Sequence, residues 1–164
     1  MQWRRWWRHA RAWRPRAEVL DAQQTHALAE RVRDMEARHH AEIRICLERH
    51  WPWDWAIGAA TTRERALHWF VHEHVWDTEG NTGVLVYVSL ADRAIEIVAD
   101  RGLNACISPE QWQGVVHAMR ERFAQGHYAD GLLAALRVLQ DLLDAHLPKA
   151  DVNPNELPNQ VLIK

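Results

Sequence analysis

Residues 83–103 constrain the fold more than any other part of this chain. A nearly unbroken apolar run at 84–90 is typical of a strand that is covered on both faces. A short polar connection at 91–93 leads into residues 94–99, which alternate in polarity as a strand does. Because so few residues separate the two runs, they predict an antiparallel hairpin inside a covered sheet.

An earlier strand and a crossover helix are predicted upstream of this hairpin. Residues 42–48 alternate in polarity, with three aliphatic side chains on one face. Thr61 and Glu64 have the spacing of a capping box, which indicates that a helix begins there. A right-handed crossover makes the two strands that it joins parallel, so the sheet is predicted to be mixed. Further helices are predicted at 17–38, 108–124 and 128–146, and loops at 50–60 and 100–103.

Composition places the chain among single-domain globular proteins. Its 164 residues are 48% hydrophobic and 26% charged, enough to bury a core. The formal net charge of −2 gives no reason by itself to expect nucleic acid as a partner. The charge is uneven, because the first 16 residues hold six arginines and no acid, whereas the remainder holds 14 basic and 22 acidic residues. Cys46 and Cys106 are too few for a disulfide framework and are predicted to be free thiols.

Residues 1–15 are predicted to form a basic amphipathic helix. Its tryptophans share one arc of the helix, and most of its arginines lie outside that arc. The aromatic face consists of Trp3, Trp6, Trp7 and Trp13. Such a face can pack on its own domain, on a sister subunit or on a partner protein, or it can lie on an anionic membrane surface; nucleic acid is the least favoured partner.

The sequence also indicates where the protein works. No apolar run is long enough to span a membrane, and the first residues lack the apolar core of a secretory signal. We therefore expect a cytoplasmic protein. It would be peripheral to the inner membrane if the N-terminal helix binds lipid.

With these elements in place, the chain resembles the TPM domain family. The residues that carry the resemblance are Glu42-Ile43-Arg44, Gly83-Val84-Leu85-Val86-Tyr87-Val88, Asp92-Arg93, Ile95-Glu96-Ile97 and Gly102-Leu103. The chain is most similar to a soluble bacterial branch of the family. That narrower similarity rests on the Arg- and Trp-rich start and on Trp76-Asp77-Thr78, Asp100-Arg101-Gly102, Trp112 and Asn155-Glu156-Leu157-Pro158.

The resemblance implies an α/β fold, namely a three-layer α-β-α sandwich. The central sheet would be small and mixed, with about four strands and helices on both faces. The N-terminal helix then occupies residues 1–15, the TPM domain 16–148, and an extended polar tail 149–164, which is expected to lie on the surface or to fray. Members of the family have been linked to acid phosphatase activity, to divalent-cation binding and to the assembly or repair of membrane complexes.

Carboxylates near the predicted strand ends are candidate metal ligands. Asp77, Asp92 and Asp100 can supply oxygen ligands to Ca²⁺ or Mg²⁺ if their loops meet at one edge of the sheet. The sequence contains no EF-hand spacing, so the prediction of a cation site depends on that meeting. No other cofactor is expected.

Three arginines are candidate anion ligands. Arg44, Arg93 and Arg101 can together grip a phosphate group. The alternative is structural, because Glu42 and Glu96 lie on neighbouring strands and can pair with these arginines on a partly covered sheet face.

Two functions follow from the sequence as alternatives. The chain has no Cys-x5-Arg loop, no Asp-x-Asp nucleophile motif and no P-loop, so neither a covalent nucleophile nor an activated water is visible for hydrolysis. We therefore predict a non-enzymatic protein-binding or assembly module, whose partner can be another protein or a second copy of the chain. The alternative is a weak, metal-dependent hydrolase of the acid phosphatase type.

Overall fold

A computed structural model of the chain describes residues 8–9, 18–147 and 155–164. Strand β1 (Glu42–Glu48) pairs in parallel with β2 (Gly83–Ser89), and β2 pairs with β3 (Ala94–Ala99) in the predicted antiparallel hairpin. Strand β4 (Leu162–Ile163) is a short parallel partner on the other side of β1. The four strands therefore form one mixed sheet in the order β3-β2-β1-β4. The α/β class and the mixed sheet are confirmed.

Six helices surround the sheet in the described residues. They are α1 (Ala22–Glu36), α2 (Trp53–Ile57), α3 (Thr62–His72), α4 (Arg101–Asn104), α5 (Pro109–Ala124) and α6 (Tyr128–His146). Helices α1, α3 and α5 each begin at a capping box, with Asp21, Thr61 and Ser108 as the N-cap residues. The capping box predicted at Thr61 is confirmed. None of the described helices is both long and apolar enough to cross a membrane.

Two segments that the sequence predicts as loops contain short helices. Helix α2 follows Pro52 and has no side-chain cap. Helix α4 is capped by Asp100, whose carboxylate accepts a hydrogen bond from the N–H of Arg101 at 2.6 Å. The loop predictions are wrong here because five and four residues are too few to show the 3.6-residue period.

The first face of the sheet is apolar. Ile43, Ile45 and Leu47 lie on this face, together with alternate residues of β2. They pack against the inner sides of α1, α5 and α6, where Val32 and Leu136 are buried in the same cluster. This cluster is the main core of the protein.

The second face of the sheet carries buried charges among its apolar side chains. Tyr87 of β2 and Phe70 of α3 belong to an apolar cluster on this face. On the neighbouring strand β1, the side chains of Glu42, Arg44 and Glu48 share the same face, and all three are buried. Helix α3 and the C-terminal residues cover this face, so the sheet has helical layers on both sides.

The C-terminal residues pack against β1. The N–H of Lys164 donates to the carbonyl of Leu47 at 3.0 Å, and the N–H of Arg49 donates to the carbonyl of Lys164 at 2.7 Å. Leu157 and Val161 are buried beside them. The sequence predicts a tail that lies extended on the surface or frays; of these two alternatives, residues 155–164 do not fray, because strand pairing and their own apolar side chains hold them against the protein.

Two glycines allow the backbone to pack closely at one edge of the sheet. A Cβ atom on Gly83 would collide with the carbonyl oxygen of Val75, and one on Gly102 would lie 2.6 Å from the carbonyl oxygen of Asn81. The N–H of Gly102 donates to that same carbonyl at 3.0 Å. Only glycine permits both approaches without a backbone shift.

Candidate functional site

The carboxylate of Glu48 is the centre of a buried polar network at the carboxyl end of β1. Arg65 of α3 donates to it from Nε at 3.0 Å and 3.2 Å, and Trp69 donates from Nε1 at 3.0 Å. The Tyr87 hydroxyl donates at 2.7 Å and accepts from Nε1 of Trp51 at 2.9 Å. All five side chains are buried, so the network ties α3 to β1 and β2 inside the protein.

Burial on this face of the sheet keeps two titratable groups in their neutral forms. Desolvation raises the pKa of Tyr87, and the negative charge of Glu48 raises it further. Desolvation also raises the pKa of the Cys46 thiol, again with a contribution from Glu48. Tyr87 is therefore a neutral hydrogen-bond donor, and Cys46 lacks the thiolate character of a reactive cysteine.

Outside this network, α2 and α3 present large apolar side chains to solvent. Trp53 and Ile57 are one turn apart on α2, and Leu67 and Val71 are one turn apart on α3. These four side chains are between 42% and 59% exposed. We call these four residues, one tryptophan and three aliphatic residues, the aromatic surface; it is distinct from the aromatic face of the N-terminal helix. Large apolar side chains that are exposed on neighbouring helices are candidates for contact with another molecule.

A ladder of rings joins α2 to α3 beside the aromatic surface. The ring of Trp55 lies 5.2 Å from that of His68, which stacks on His72 at 5.7 Å with the planes 9° apart. The Arg65 guanidinium lies 4.7 Å from the Trp55 ring centroid, a cation–π contact. Desolvation, followed by the charges of Arg65 and His72, lowers the pKa of His68. His68 therefore adds no positive charge at pH 7.

Carboxylates lie around the aromatic surface. Asp54 and Glu64 are exposed on the same two helices, and Asp77 is exposed in the turn that follows α3. Hydrogen bonds within the capping box lower the pKa of Glu64, so this group is charged at pH 7. Arg63, also exposed on α3, lies 3.9 Å from Glu96 of β3. These two helices and the turn after α3 therefore expose three carboxylates, together with the guanidinium of Arg63.

The described part of the N-terminal segment is anchored at the β2–β3 turn. Arg8 Nη2 lies 2.7 Å from the carboxylate of Asp92, and His9 Nε2 lies 3.3 Å from it. The N–H of Trp51 donates to Nδ1 of His9 at 2.9 Å, which assigns the histidine proton to the nitrogen that faces Asp92. The predicted aromatic face lies outside the described residues, and its members are Trp3, Trp6, Trp7 and Trp13.

The three carboxylates predicted as metal ligands are not brought together. Asp92 lies in the turn before β3 and Asp100 follows its far end, so the length of that strand, roughly 20 Å, separates them. Asp77 lies in the turn-rich segment before β2. In the part of the chain that the structure describes, no group of three or more His, Cys, Asp or Glu side chains is placed to hold a metal ion.

The three predicted anion ligands also lie apart. Arg44 donates to Glu73 at 2.7 Å and to two carbonyl oxygens of the C-terminal residues. Arg101 donates to the side chain of Asn81 at 2.9 Å. Arg93 lies in the β2–β3 turn, at the opposite end of the hairpin from Arg101. The structure thus gives Arg44 and Arg101 structural contacts and leaves Arg93 at a separate edge.

The charged side chains of the second face contact the elements that cover them. Glu42 accepts a hydrogen bond from the N–H of Leu157 at 2.9 Å, and Glu96 accepts one from the Thr62 hydroxyl at 2.7 Å. Together with the pair between Arg44 and Glu73, these contacts run from the sheet to α3 and the C-terminal residues. These contacts join the sheet to the layer that covers its second face.

Sequence reasoning misses both Glu48 and the aromatic surface. Glu48 shares its face with Glu42 and Arg44 by the alternation of β1, and a buried carboxylate requires a partner. Arg65, on the helix predicted to follow, was the available cation. Trp53 and Ile57 gave no comparable signal, because their i, i+4 relation exists only once α2 is known to be a helix.

The architecture defines the class of protein. A mixed four-stranded sheet with helices on both faces is an α-β-α sandwich. A family model described as the TPM domain matches residues 14–142. The chain therefore belongs to the TPM domain family, and the predicted resemblance is confirmed.

The solved structures that are similar to this fold include the following two. The BA42 protein from the psychrophilic bacterium Bizionia argentinensis superposes with a TM-score of 0.80 at 27% identity, covering 92% of this chain and 99% of that one. The N-terminal domain of a protein from P. gingivalis superposes with a TM-score of 0.64 at 22% identity, covering 79% of this chain and 82% of that one, which supports the fold alone. No curated protein matches the chain.

Proposed function

We propose that this TPM domain protein is a non-enzymatic, cytoplasmic binding module whose aromatic surface docks a basic, aromatic segment of a partner protein. The observation that carries the proposal is the exposure of Trp53, Ile57, Leu67 and Val71 on two neighbouring helices. Tryptophan is among the side chains that contribute most to the free energy of protein association. Apolar side chains exposed in this way gain that free energy only when a partner covers them.

The charge around the aromatic surface favours a protein partner over an anionic membrane. Asp54, Glu64 and Asp77 are exposed there, and an anionic lipid surface would repel them. A partner segment that carries arginine or lysine beside its aromatic residues would gain from the same carboxylates. The proposed partner is therefore basic as well as aromatic.

The buried network beneath the aromatic surface supports this role by fixing the geometry of α3. Arg65 and Trp69 hold the inner side of the helix on Glu48. The exposed side of the helix, with Leu67 and Val71, is thereby presented on a rigid support. A preorganised surface loses less conformational entropy when it binds.

A peptide titration tests the proposal. The probe is a synthetic peptide with the sequence of residues 1–14, which carries five arginines and four tryptophans. We expect saturable binding to the full chain by isothermal titration calorimetry. The substitutions Trp53→Ser and Val71→Ser should each weaken binding roughly tenfold, because each removes a large exposed apolar contact. Ile163→Ser, which changes an exposed apolar side chain on β4, is the matched control and should leave the affinity unchanged.

Two further arms distinguish the possible partners. A chain that lacks residues 1–7 retains Arg8 and His9, and tighter peptide binding by this chain would identify its own N-terminal segment as a competing occupant, within one chain or between two copies. A peptide with glutamate in place of every arginine should not bind. Sedimentation with anionic vesicles, combined with peptide binding that Trp53→Ser and Val71→Ser leave unchanged, would contradict the proposal and favour the membrane.

A further inference from the structure

A cavity of about 660 Å³ lies between the β2–β3 hairpin and the α5–α6 connection, away from the aromatic surface. Its apolar walls come from Val88 and Ile95 of the sheet and from Val116 and Phe123 of α5. The volume falls in the range of roughly 300–1,000 Å³ that is usual for small-molecule sites. The cavity is therefore large enough to take a ligand with a hydrocarbon body.

Two arginines give this cavity a positive charge. Arg93 from the hairpin and Arg120 from α5 both line it, and no acidic residue does. Within the described ranges, neither guanidinium forms an ion pair with a carboxylate. Arginine is the side chain best suited to bind a compact anion through paired N–H donors.

The backbone at Arg93 has a conformation that long side chains seldom adopt. Its φ angle is 53°, in the left-handed region, and its N–H donates to the carbonyl of Leu90 at 3.3 Å to close the turn. A hairpin residue in this conformation is usually glycine or asparagine, because a Cβ atom with a long side chain is disfavoured there. A non-glycine residue held in this conformation is often found where the side chain has a function.

We infer that this cavity binds an anionic amphiphile, with its carboxylate or phosphate head between Arg93 and Arg120 and its hydrocarbon body on the apolar walls. An inorganic anion would leave the walls in contact with water, whereas a neutral hydrocarbon would leave both guanidinium groups without a counter-charge. Only a ligand with both parts satisfies both halves of the site. The site is independent of the docking function proposed above.

The probe is octanoate, titrated into the full chain and followed by ¹H–¹⁵N NMR. Saturable shifts are expected at the backbone amides of Val88, Ile95 and Val116. Octyl phosphate should compete for the same site, since it shares the anionic head and the hydrocarbon body. Acetate and inorganic phosphate should fail to saturate the site, and 1-octanol should bind roughly tenfold more weakly than octanoate because it lacks the charge.

The variants remove one guanidinium at a time. Arg93→Asn tolerates the left-handed backbone, and Arg120→Gln changes an exposed helical position, so both should fold as the wild type does. Each should weaken octanoate binding about tenfold or more, the usual loss for a charged hydrogen bond. Arg137→Gln, on the exposed side of α6 and outside the cavity, is the matched control and should bind as the wild type does.

Four results would overturn the inference. They are equal affinity for octanoate and 1-octanol, equal affinity of all three variants, octanoate shifts that map to the aromatic surface, and binding to anionic vesicles without any saturable binding of octanoate. Loss of peptide binding at the aromatic surface would leave the octanoate result unchanged, so the two proposals fail separately.

Discussion

The two faces of the sheet are built from different chemistry. On the first face the sheet presents apolar side chains, such as Val86, to three helices. The second face buries an ion pair between Glu48 and Arg65 and further polar contacts beneath α3 and the C-terminal residues. Apolar packing is non-directional, whereas hydrogen-bonded charges require particular partners. The first face therefore supplies most of the driving force for folding, and the second determines which elements cover it.

This difference explains how α3 can carry apolar side chains on both of its sides. Ala66 and Phe70 face the sheet, while Leu67 and Val71 face solvent. Hydrophobic burial alone does not determine which side of α3 packs against the sheet. The contacts of Arg65 with Glu48 determine it, and they leave Leu67 and Val71 of the aromatic surface exposed to solvent.

The largest expected effect on stability comes from breaking the buried ion pair on the second face of the sheet. Arg65→Met leaves the buried carboxylate of Glu48 without its counter-ion, and we expect a loss of about 3–5 kcal/mol in the free energy of unfolding. The double variant Glu48→Gln/Arg65→Met should recover much of that loss, because the glutamine oxygen can still accept from Tyr87 and Trp69. Urea denaturation is measured for the wild type, Glu48→Gln, Arg65→Met and the double variant. Additive losses in the double variant would show that the pair is not coupled.

A substitution in the apolar core of the first face gives the stability loss to compare with that of the ion pair. Leu136→Ala removes a buried side chain of α6 and should cost about 3 kcal/mol through lost burial and a residual cavity. Because no titratable group is involved, the loss should be the same at pH 6 and pH 8. A loss that changed with pH would mean that the first face is coupled to the charged one.

The pH dependence of stability sharpens the comparison at Glu36. Its carboxylate accepts from the N–H of Ile43 at 2.7 Å and from the side chain of Asn159, and so joins α1 to the C-terminal residues. Burial, the largest cause, raises the pKa of Glu36 to about 8. The folded chain therefore holds a proton that the unfolded chain has lost above pH 4.5, and the stabilisation is lost as the pH rises through 8.

We expect the wild type to lose about 2 kcal/mol of unfolding free energy between pH 6.5 and pH 8. His39 and His68, whose pKa values are lowered by burial, act in the opposite direction near pH 6.5, but both are present in the two chains, so the difference between the chains isolates Glu36. Glu36→Gln is permanently neutral and should lack the loss that Glu36 causes. Equal slopes in the two chains, measured by urea denaturation across this range, would contradict the assignment.

A smaller effect is expected at the start of α3. Thr61→Ala removes the side-chain acceptor of the capping box and should cost about 1 kcal/mol of unfolding free energy. Thr61→Asn keeps an acceptor at the same place and should cost only a few tenths of a kcal/mol of unfolding free energy. Thermal unfolding distinguishes the two. Equal loss in both variants would mean that the side-chain hydrogen bond does not stabilise the helix.

The smallest effect on stability is expected at the aromatic surface itself. Val71→Ser should change the unfolding free energy by no more than about 0.5 kcal/mol, because the side chain is 59% exposed. The same substitution is expected to weaken peptide binding. A large loss of stability would instead show that Val71 belongs to the core.

Sequence patterns predict the parts of this fold that repeat over many residues. The apolar run of β2, the hairpin and the capping box at Thr61 each follow from local rules and are found in the structure. Helices α2 and α4 are too short to show a period. Strand β4 has only two residues, and its pairing with β1 joins positions more than a hundred residues apart. Local pattern carries no information about that pairing.

The candidate site was less accessible to prediction, because its members meet only through tertiary structure. Asp92 and Asp100 both lie near strand ends, but at opposite ends of β3, so the shared-edge argument for a metal site requires a topology that the hairpin does not provide. Glu48 and Arg65 come from a strand and the helix that covers it. The sequence shows that these residue types are present. It does not show which of them meet, because that depends on which helix packs on which face of the sheet.

The most direct test of this account is an NMR titration that maps where the arginine- and tryptophan-containing peptide binds. The account predicts shifts at Trp53, Ile57, Leu67 and Val71, with the indole signal of the buried Trp69 unchanged. Shifts confined to the first-face helices α1, α5 and α6, or a change at Trp69 that reports opening of the Glu48 network, would contradict it.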